Sequence, residues 1–183
     1  MSLSSKEAAE SLAQAEQARR RSAQLYSYSR TAPHLILWGS IWVVGYTQSD
    51  LLPKYEGWVW IALIVIGVIT GAIIGRCSTR RPHGPYAWRM FAVAALAIFF
   101  VFSTYAMMWP LHGGAAAAFP ALITGTLYTG IGLWAGLRYV VAGIVVIAAT
   151  MGGYFFIHEH LLLWMAFVGG GSMILAGLWF RTV

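Results

Sequence analysis

The chain has 183 residues, of which 59% are apolar and only 10% are charged. An ordinary soluble chain is about 45–50% apolar and about 25% charged, so this chain has too few polar side chains to cover a surface in water. The net charge of +6 does not indicate nucleic-acid binding, because the basic residues lie between apolar runs rather than on one basic face. The composition therefore predicts a membrane protein.

The N-terminal segment is polar and favours a helix from about Ser5 to Gln24. Ser4 precedes Glu7 by three residues, the spacing of a capping box, and good helix formers follow. The apolar side of this helix consists of alanines plus Leu12 and Leu25, which is too thin for firm insertion into a membrane. The segment also lacks the apolar core of a signal peptide. We therefore assign residues 1–31 to an N-terminal helix and linker, and residues 32–183 to a separate transmembrane domain.

Six apolar runs follow this segment. Most of them approach the ~20 residues that a helix needs to cross ~30 Å of hydrocarbon. The runs are residues 33–48, 57–75, 88–108, 115–137, 139–157 and 161–180. The first is the shortest, but without it the charge pattern described next would be inconsistent. The predicted fold is an all-α bundle of six transmembrane helices.

Six spans divide the Lys and Arg residues very unevenly between the two sides of the membrane. Lys54 is the only one on the second side. The eleven on the first side are Lys6, Arg19, Arg20, Arg21, Arg30, Arg76, Arg80, Arg81, Arg89, Arg138 and Arg181. The positive-inside rule places the basic side, and with it both chain ends, in the cytoplasm. Small size and the lack of a targeting signal favour a bacterial inner membrane.

Similar sequences recur at the ends of the predicted spans. The even-numbered spans end in small residues followed by Arg76, Arg138 or Arg181, and the odd-numbered spans carry a small residue and then Tyr46, Tyr105 or Tyr154. This pattern suggests three similar helical hairpins arranged as parallel repeats. The alternative is that glycine and arginine simply suit the end of any helix at this interface.

Small residues at four-residue spacing indicate where helices approach each other closely. In lipid, helices associate through such stripes and through hydrogen bonds between helices. The stripes are Gly67, Gly71 and Gly75 in the second span, Gly132 and Gly136 in the fourth, and Ser172 and Ala176 in the sixth. The neighbour is either another span of the same chain or a second copy, and the oligomeric state stays open.

The predicted span interiors contain hydroxyl groups but no ionisable side chain. A proton-driven transporter is expected to keep a charged group in the membrane, and a haem protein is expected to hold the iron with axial ligands such as histidine inside the bundle. Motifs for a serine nucleophile, a zinc protease or a phosphate-binding loop are also lacking. We therefore predict a protein that is not an enzyme and has no cofactor.

The predicted outer face carries a candidate metal site made of His112, His158, Glu159 and His160. Imidazole and carboxylate suit zinc, copper or nickel. Two histidines two residues apart diverge by about 200° on a helix, so the site requires a break between the fifth and sixth spans. The alternative is that this segment is a polar turn without a function.

Three functional hypotheses follow. The leading one is a membrane protein whose bundle binds a partner protein or a small ligand, with residues 5–28 docking a cytoplasmic protein. The second is a small transporter or channel for a neutral or metal solute, which the outer His-Glu cluster admits. The third is attachment of the N-terminal arginines to anionic lipid, at about 1 kcal/mol per basic residue.

Overall fold

The computed structural model describes residues 5–77, 96, 99–104, 106–107, 114–157 and 159–182. Apart from turns and helix ends, these residues are helical, and none of them forms a β-strand. The all-helical fold predicted from the sequence is therefore confirmed. The helices are α1 (Ser5–Leu51), α2 (Glu56–Cys77), α3 (Gly114–Ala135), α4 (Leu137–Phe156) and α5 (Leu161–Phe180), with a 3₁₀ turn at Pro53–Tyr55 between α1 and α2.

Helix α1 has 47 residues and contains Pro33 in its interior. At 1.5 Å per residue it is about 70 Å long. It passes without interruption through the stretch before residue 32, where the sequence predicted a linker. Proline removes one backbone hydrogen bond to the preceding turn, but Ala32 and Leu35 beside it are buried in the core. This tertiary packing keeps the helix continuous across the proline.

Four helices are long and apolar enough to cross a membrane: Pro53–Arg76, Gly114–Ala135, Leu137–Phe156 and Leu161–Phe180. They correspond to the predicted spans 57–75, 115–137, 139–157 and 161–180. The predicted first span, 33–48, is helical but is not among the four; polar residues at both ends, such as His34 and Asp50, dilute its apolar character. The predicted third span, 88–108, falls mostly outside the described residues.

Helices α1 and α5 pack closely because glycines on both helices leave room for the opposite backbone. A Cβ atom on Gly177 would lie 2.9 Å from the carbonyl oxygen of Ala32, and one on Gly170 would lie 2.8 Å from that of Gly39. The residues from Met165 to Gly170 form a π-helical segment inside α5. Met165 and Ala166 in this segment are fully buried, so the irregular turn belongs to the core.

Helices α3 and α4 form a tight hairpin. Gly136 joins them with a φ of 129°, a backbone conformation that glycine adopts without strain. Farther along, a Cβ atom on Gly143 would lie 2.5 Å from the carbonyl oxygen of Gly125. Glycines thus determine both the turn and the closest contact of this hairpin.

In two further helix pairs, a tryptophan ring packs between the helices against a glycine. Trp60 of α2 lies against Gly45 of α1, and Trp164 of α5 lies against Gly153 of α4. The indole N–H of Trp60 donates to Ser49 Oγ at 3.0 Å, and that of Trp164 donates to the carbonyl oxygen of Ala149 at 2.7 Å. In both pairs, a tryptophan near the start of the second helix fills the space beside a glycine near the end of the first.

Candidate functional site

The N-terminal part of α1 projects beyond the helices that pack around its other half. We call residues 6–26 the α1 extension. Every side chain described in it is exposed, and even Leu25 and Tyr26, at its inner end, are 38% and 39% exposed. At the helical rise per residue the extension is about 30 Å long. The described helices of the bundle do not cover this polar surface.

Hydrogen bonds hold α1 where the extension meets the bundle. The buried Tyr139 of α4 places its hydroxyl 2.8 Å from Ser27 Oγ and 2.6 Å from Thr31 Oγ1, both on α1. The same hydroxyl donates to the carbonyl oxygen of Ser27 at 3.1 Å. With its proton directed to this carbonyl, the tyrosine oxygen accepts from the two side-chain hydroxyls. These bonds fix the base of the extension to α4.

Aromatic rings from three helices meet at the same level. The ring centroid of Tyr28 lies 5.4 Å from that of Tyr139 and 5.0 Å from that of Phe180, and the Tyr139 and Phe180 rings make an edge contact at 4.9 Å. Tilted and edge-on contacts at such distances are favourable for aromatic pairs. Helices α1, α4 and α5 are therefore joined in one cluster.

Arg138 completes this cluster from the first turn of α4. Its guanidinium lies 5.5 Å from the Tyr28 ring centroid and 4.9 Å from that of Trp179, within the range of cation–π attraction. It also donates to the carbonyl oxygen of Trp179 and, at 3.4 Å, to Thr182 Oγ1. We call the end of the bundle that carries Arg138 and Arg181 the arginine end.

The three predicted packing glycines of α2 differ in how closely another helix approaches them. A Cβ atom on Gly67 would lie 2.6 Å from Ile41 Cδ1, so this glycine gives α1 the space it needs. Gly71 has ordinary contacts with His34, the nearest at 3.6 Å, whereas Gly75 has no neighbour within 4 Å. The stripe therefore follows α1 over part of its length.

The other predicted packing residues lie in three settings. Gly132 packs against Val140, and Gly136 forms the hairpin turn. Ala176 packs on the core, while the Ser172 hydroxyl donates to the carbonyl oxygen of Gly169 in its own helix. The close approach of α5 to α1 is instead made by Gly170 and Gly177. These two glycines were not among the packing residues predicted from the sequence, although their seven-residue spacing is visible there.

The candidate metal site is only partly visible. Glu159 and His160 are exposed in a turn between α4 and α5, so the predicted break is present. His112 and His158 lie outside the described residues. Within the ranges that the structure describes, no three His, Cys, Asp or Glu side chains are grouped so that they could hold a metal ion. The metal site stays a prediction.

An open apolar groove of about 430 Å³ lies between α1 and the π-helical segment, far from the arginine end. It is lined by Val43, Val44, Leu51 and Phe167, with Thr47 and Gln48 beside them. Thr47 Oγ1 and Gln48 Oε1 have no hydrogen-bond partner among the described residues, but both atoms are buried. A molecule in the groove would therefore meet mainly aliphatic and aromatic surface.

No family model, curated protein or solved structure matches this chain. The fold and site themselves define its class: a helical protein with four helices long and apolar enough to cross a membrane, and a polar helical extension at the arginine end.

Proposed function

We propose that this chain is a non-enzymatic integral membrane protein that docks a cytoplasmic protein on the α1 extension. The observation that carries the proposal is the continuity of α1: a polar, exposed segment is the direct prolongation of a helix packed in the core. The proposal assigns no cofactor and no catalytic residue. The proposed partners are the lipid bilayer and a soluble protein.

Continuity makes the extension a prepared binding surface. An isolated helix of this length is marginally stable in water, because the first turn is costly to form. Here the packed half of α1 supplies that turn, and the hydroxyl of Tyr139 holds the junction at Ser27 and Thr31. The extension is therefore already helical before a partner binds, so binding does not have to order it, which favours affinity.

The proposal includes six spans, with residues 33–48 and 88–108 as the first and third, and both chain ends in the cytoplasm of a bacterial inner membrane. The uneven distribution of Lys and Arg supports this topology. The contacts of Trp60 with Gly45 and of Trp164 with Gly153 support a relation between the first and the third of the three proposed hairpins. Each glycine precedes the tyrosine of the proposed repeat, and each tryptophan lies near the start of the next helix.

Site-specific photo-crosslinking in cells tests the docking role. A photoreactive residue at Leu12, on the extension, is expected to give an adduct with a discrete soluble protein. The same residue at Ile64, an exposed apolar position of α2, is the matched control and is expected to give none. Equal protein adducts at both positions, or none at Leu12, would contradict the proposal, as would a deletion of residues 1–28 that changes neither co-purifying proteins nor phenotype.

A further inference from the structure

The face of α1 that packs on α5 has a regular spacing. Its contact positions are Ala32, Ile36, Gly39 and Val43, which follow one another at intervals of four, three and four residues. This alternation of three and four is the repeat of a helix that packs along a second helix by knobs-into-holes contacts. Gly170 and Gly177 of α5 occupy the opposite side of the contact.

The same alternation continues into the α1 extension without a change of register. It passes through exposed Ser29 and then through Leu25, Ser22, Ala18, Ala15 and Ser11. We call these last five residues the α1 seam. A seven-residue spacing drifts by only about 20° per heptad on a straight helix, so the seam stays on one side over its length. Helix α5 ends at Phe180, beside Tyr28, and no described residue covers the seam.

The positions beside the seam carry positive charge. Arg19 and Arg21 occupy the two positions that flank it, whereas Arg20 lies on the opposite face, because neighbouring residues on a helix are about 100° apart. A helix lying on the seam would therefore pass between two guanidinium groups. Carboxylates at its own flanking positions would complement both.

A second copy of this chain in the same membrane does not fit along the whole seam. Such a copy would run parallel to the first, and its own α1, if straight, would continue past the seam into the bundle. That space is filled by α5, which contacts α1 from Ala32 to Val43. A helix that lies along the whole seam therefore has to end beside Tyr28, as a helix of a soluble protein can.

Anionic lipid is also disfavoured. Arg21 lies seven residues before Tyr28, which is about 10 Å along the helix from the aromatic cluster. Side chains on a helix lean toward its N-terminus, so these arginines lean away from the bundle. Both side chains are exposed and are therefore accessible to a soluble partner.

We propose that the α1 seam binds an acidic amphipathic helix of a soluble protein, with small or apolar residues facing the seam and Asp or Glu beside Arg19 and Arg21. The inference rests on the proposed docking role and specifies the partner's chemistry. Alanine and serine along the seam allow the two backbones to approach closely. The arginine pair sets where the acidic residues of the partner lie.

Binding of a synthetic helix to the full chain in nanodiscs tests this inference. The probe is a fluorescent three-heptad peptide with Ala and Leu at its a and d positions and Glu at e and g, and anisotropy reports its binding. We expect Arg19→Gln with Arg21→Gln to raise the Kd about 5- to 10-fold, as expected for two ion pairs. Arg20→Gln, the matched control, is expected to change it less than about twofold.

A second pair of variants tests the seam itself. Ala15→Gln with Ala18→Gln inserts longer side chains between the helices and is expected to weaken binding about tenfold. Ala13→Gln with Ala23→Gln makes the same substitutions off the seam and is expected to leave binding unchanged. All four positions are exposed on a helix, and circular dichroism checks that helicity is retained.

Three outcomes would overturn the inference. The first is failure of the wild-type protein to bind the probe or to prefer it to a scrambled peptide of the same composition. The second is an increase in Kd for Arg20→Gln as large as that for Arg19→Gln with Arg21→Gln, which would indicate unspecific charge attraction or lipid contact. The third is a disulfide between two copies carrying Ala18→Cys in a Cys77→Ser background. Each leaves the docking role to be judged separately by crosslinking at Leu12.

Discussion

At the residue scale, positions without a side chain decide how closely the helices pack. Gly136 has the only positive φ angle among the described residues and lies directly against the Tyr28 hydroxyl. Any other residue would be strained there and would push Tyr28 away from the α3–α4 turn. Arg138, two residues after Gly136 in the first turn of α4, lies near the Tyr28 and Trp179 rings, so one glycine influences the whole aromatic cluster at the arginine end.

The variant Gly136→Ala tests this role. We expect a loss of about 2–3 kcal/mol in the free energy of unfolding, because backbone strain and crowding of Tyr28 add up. Gly130→Ala in α3 is the control, since no atom lies within 4 Å of the position that its Cβ would take; it is expected to gain up to about 1 kcal/mol. Detergent-titration unfolding measures both. Equal stability of the two variants would disprove the role of Gly136.

At the element scale, α1 combines two surfaces that usually belong to separate elements. Its C-terminal half packs in the core, and its N-terminal half is an exposed polar helix. The junction is held by Tyr139 and Tyr28 rather than by α1 alone. The orientation of the extension relative to the bundle therefore depends on these contacts with α4.

The rigidity of the extension can be measured by electron paramagnetic resonance. Spin labels at Leu12→Cys and Ile144→Cys, in a Cys77→Ser background, are expected to give a narrow distance distribution. Ala23→Gly with Gln24→Gly is expected to broaden it, since each glycine costs a helix about 1 kcal/mol. Glu7→Gly with Ala9→Gly lies beyond the label and is expected to have no effect. A broad distribution in the parent protein would contradict a rigid α1.

At the scale of the whole molecule, the described helices are arranged asymmetrically. Helices α1 and α5 share a long buried contact, and α3 and α4 form a hairpin, whereas α2, among the described helices, lies against α1 and is exposed along most of its length. Exposed Ile and Val side chains on α2 suit hydrocarbon. Among the described residues, the exposed polar segment of α1 lies at one end, beyond Tyr28.

Reporter fusions test the proposed topology. Fusions after Arg80 and after Arg181 are expected on the cytoplasmic face, and a fusion after Lys54 on the opposite face, because Lys and Arg near the ends of spans are retained in the cytoplasm. Arg80 and Lys54 on the same face would show that the six-span topology is wrong.

Much of the described fold could be predicted from the sequence because the length and apolar composition of each helix are local properties of the chain. The bounds of α2 to α5 lie within two residues of the predicted spans, and the turn at Glu159 and His160 separates the last two. Local composition is sufficient for these features, since a membrane helix satisfies its backbone hydrogen bonds within itself.

The sequence by itself determined which segments are helical, which are apolar enough to span and where basic residues accumulate. Only the tertiary structure decided that α1 continues through Pro33, that Gly170 and Gly177 rather than Ser172 meet α1, and that Tyr139 anchors Ser27. The physical reason is that these contacts depend on which faces of distant helices meet, which no local property of the chain specifies. The α1 seam depends on both. Its spacing can be read from the sequence, but only the structure shows that α5 ends beside Tyr28 and leaves the seam exposed.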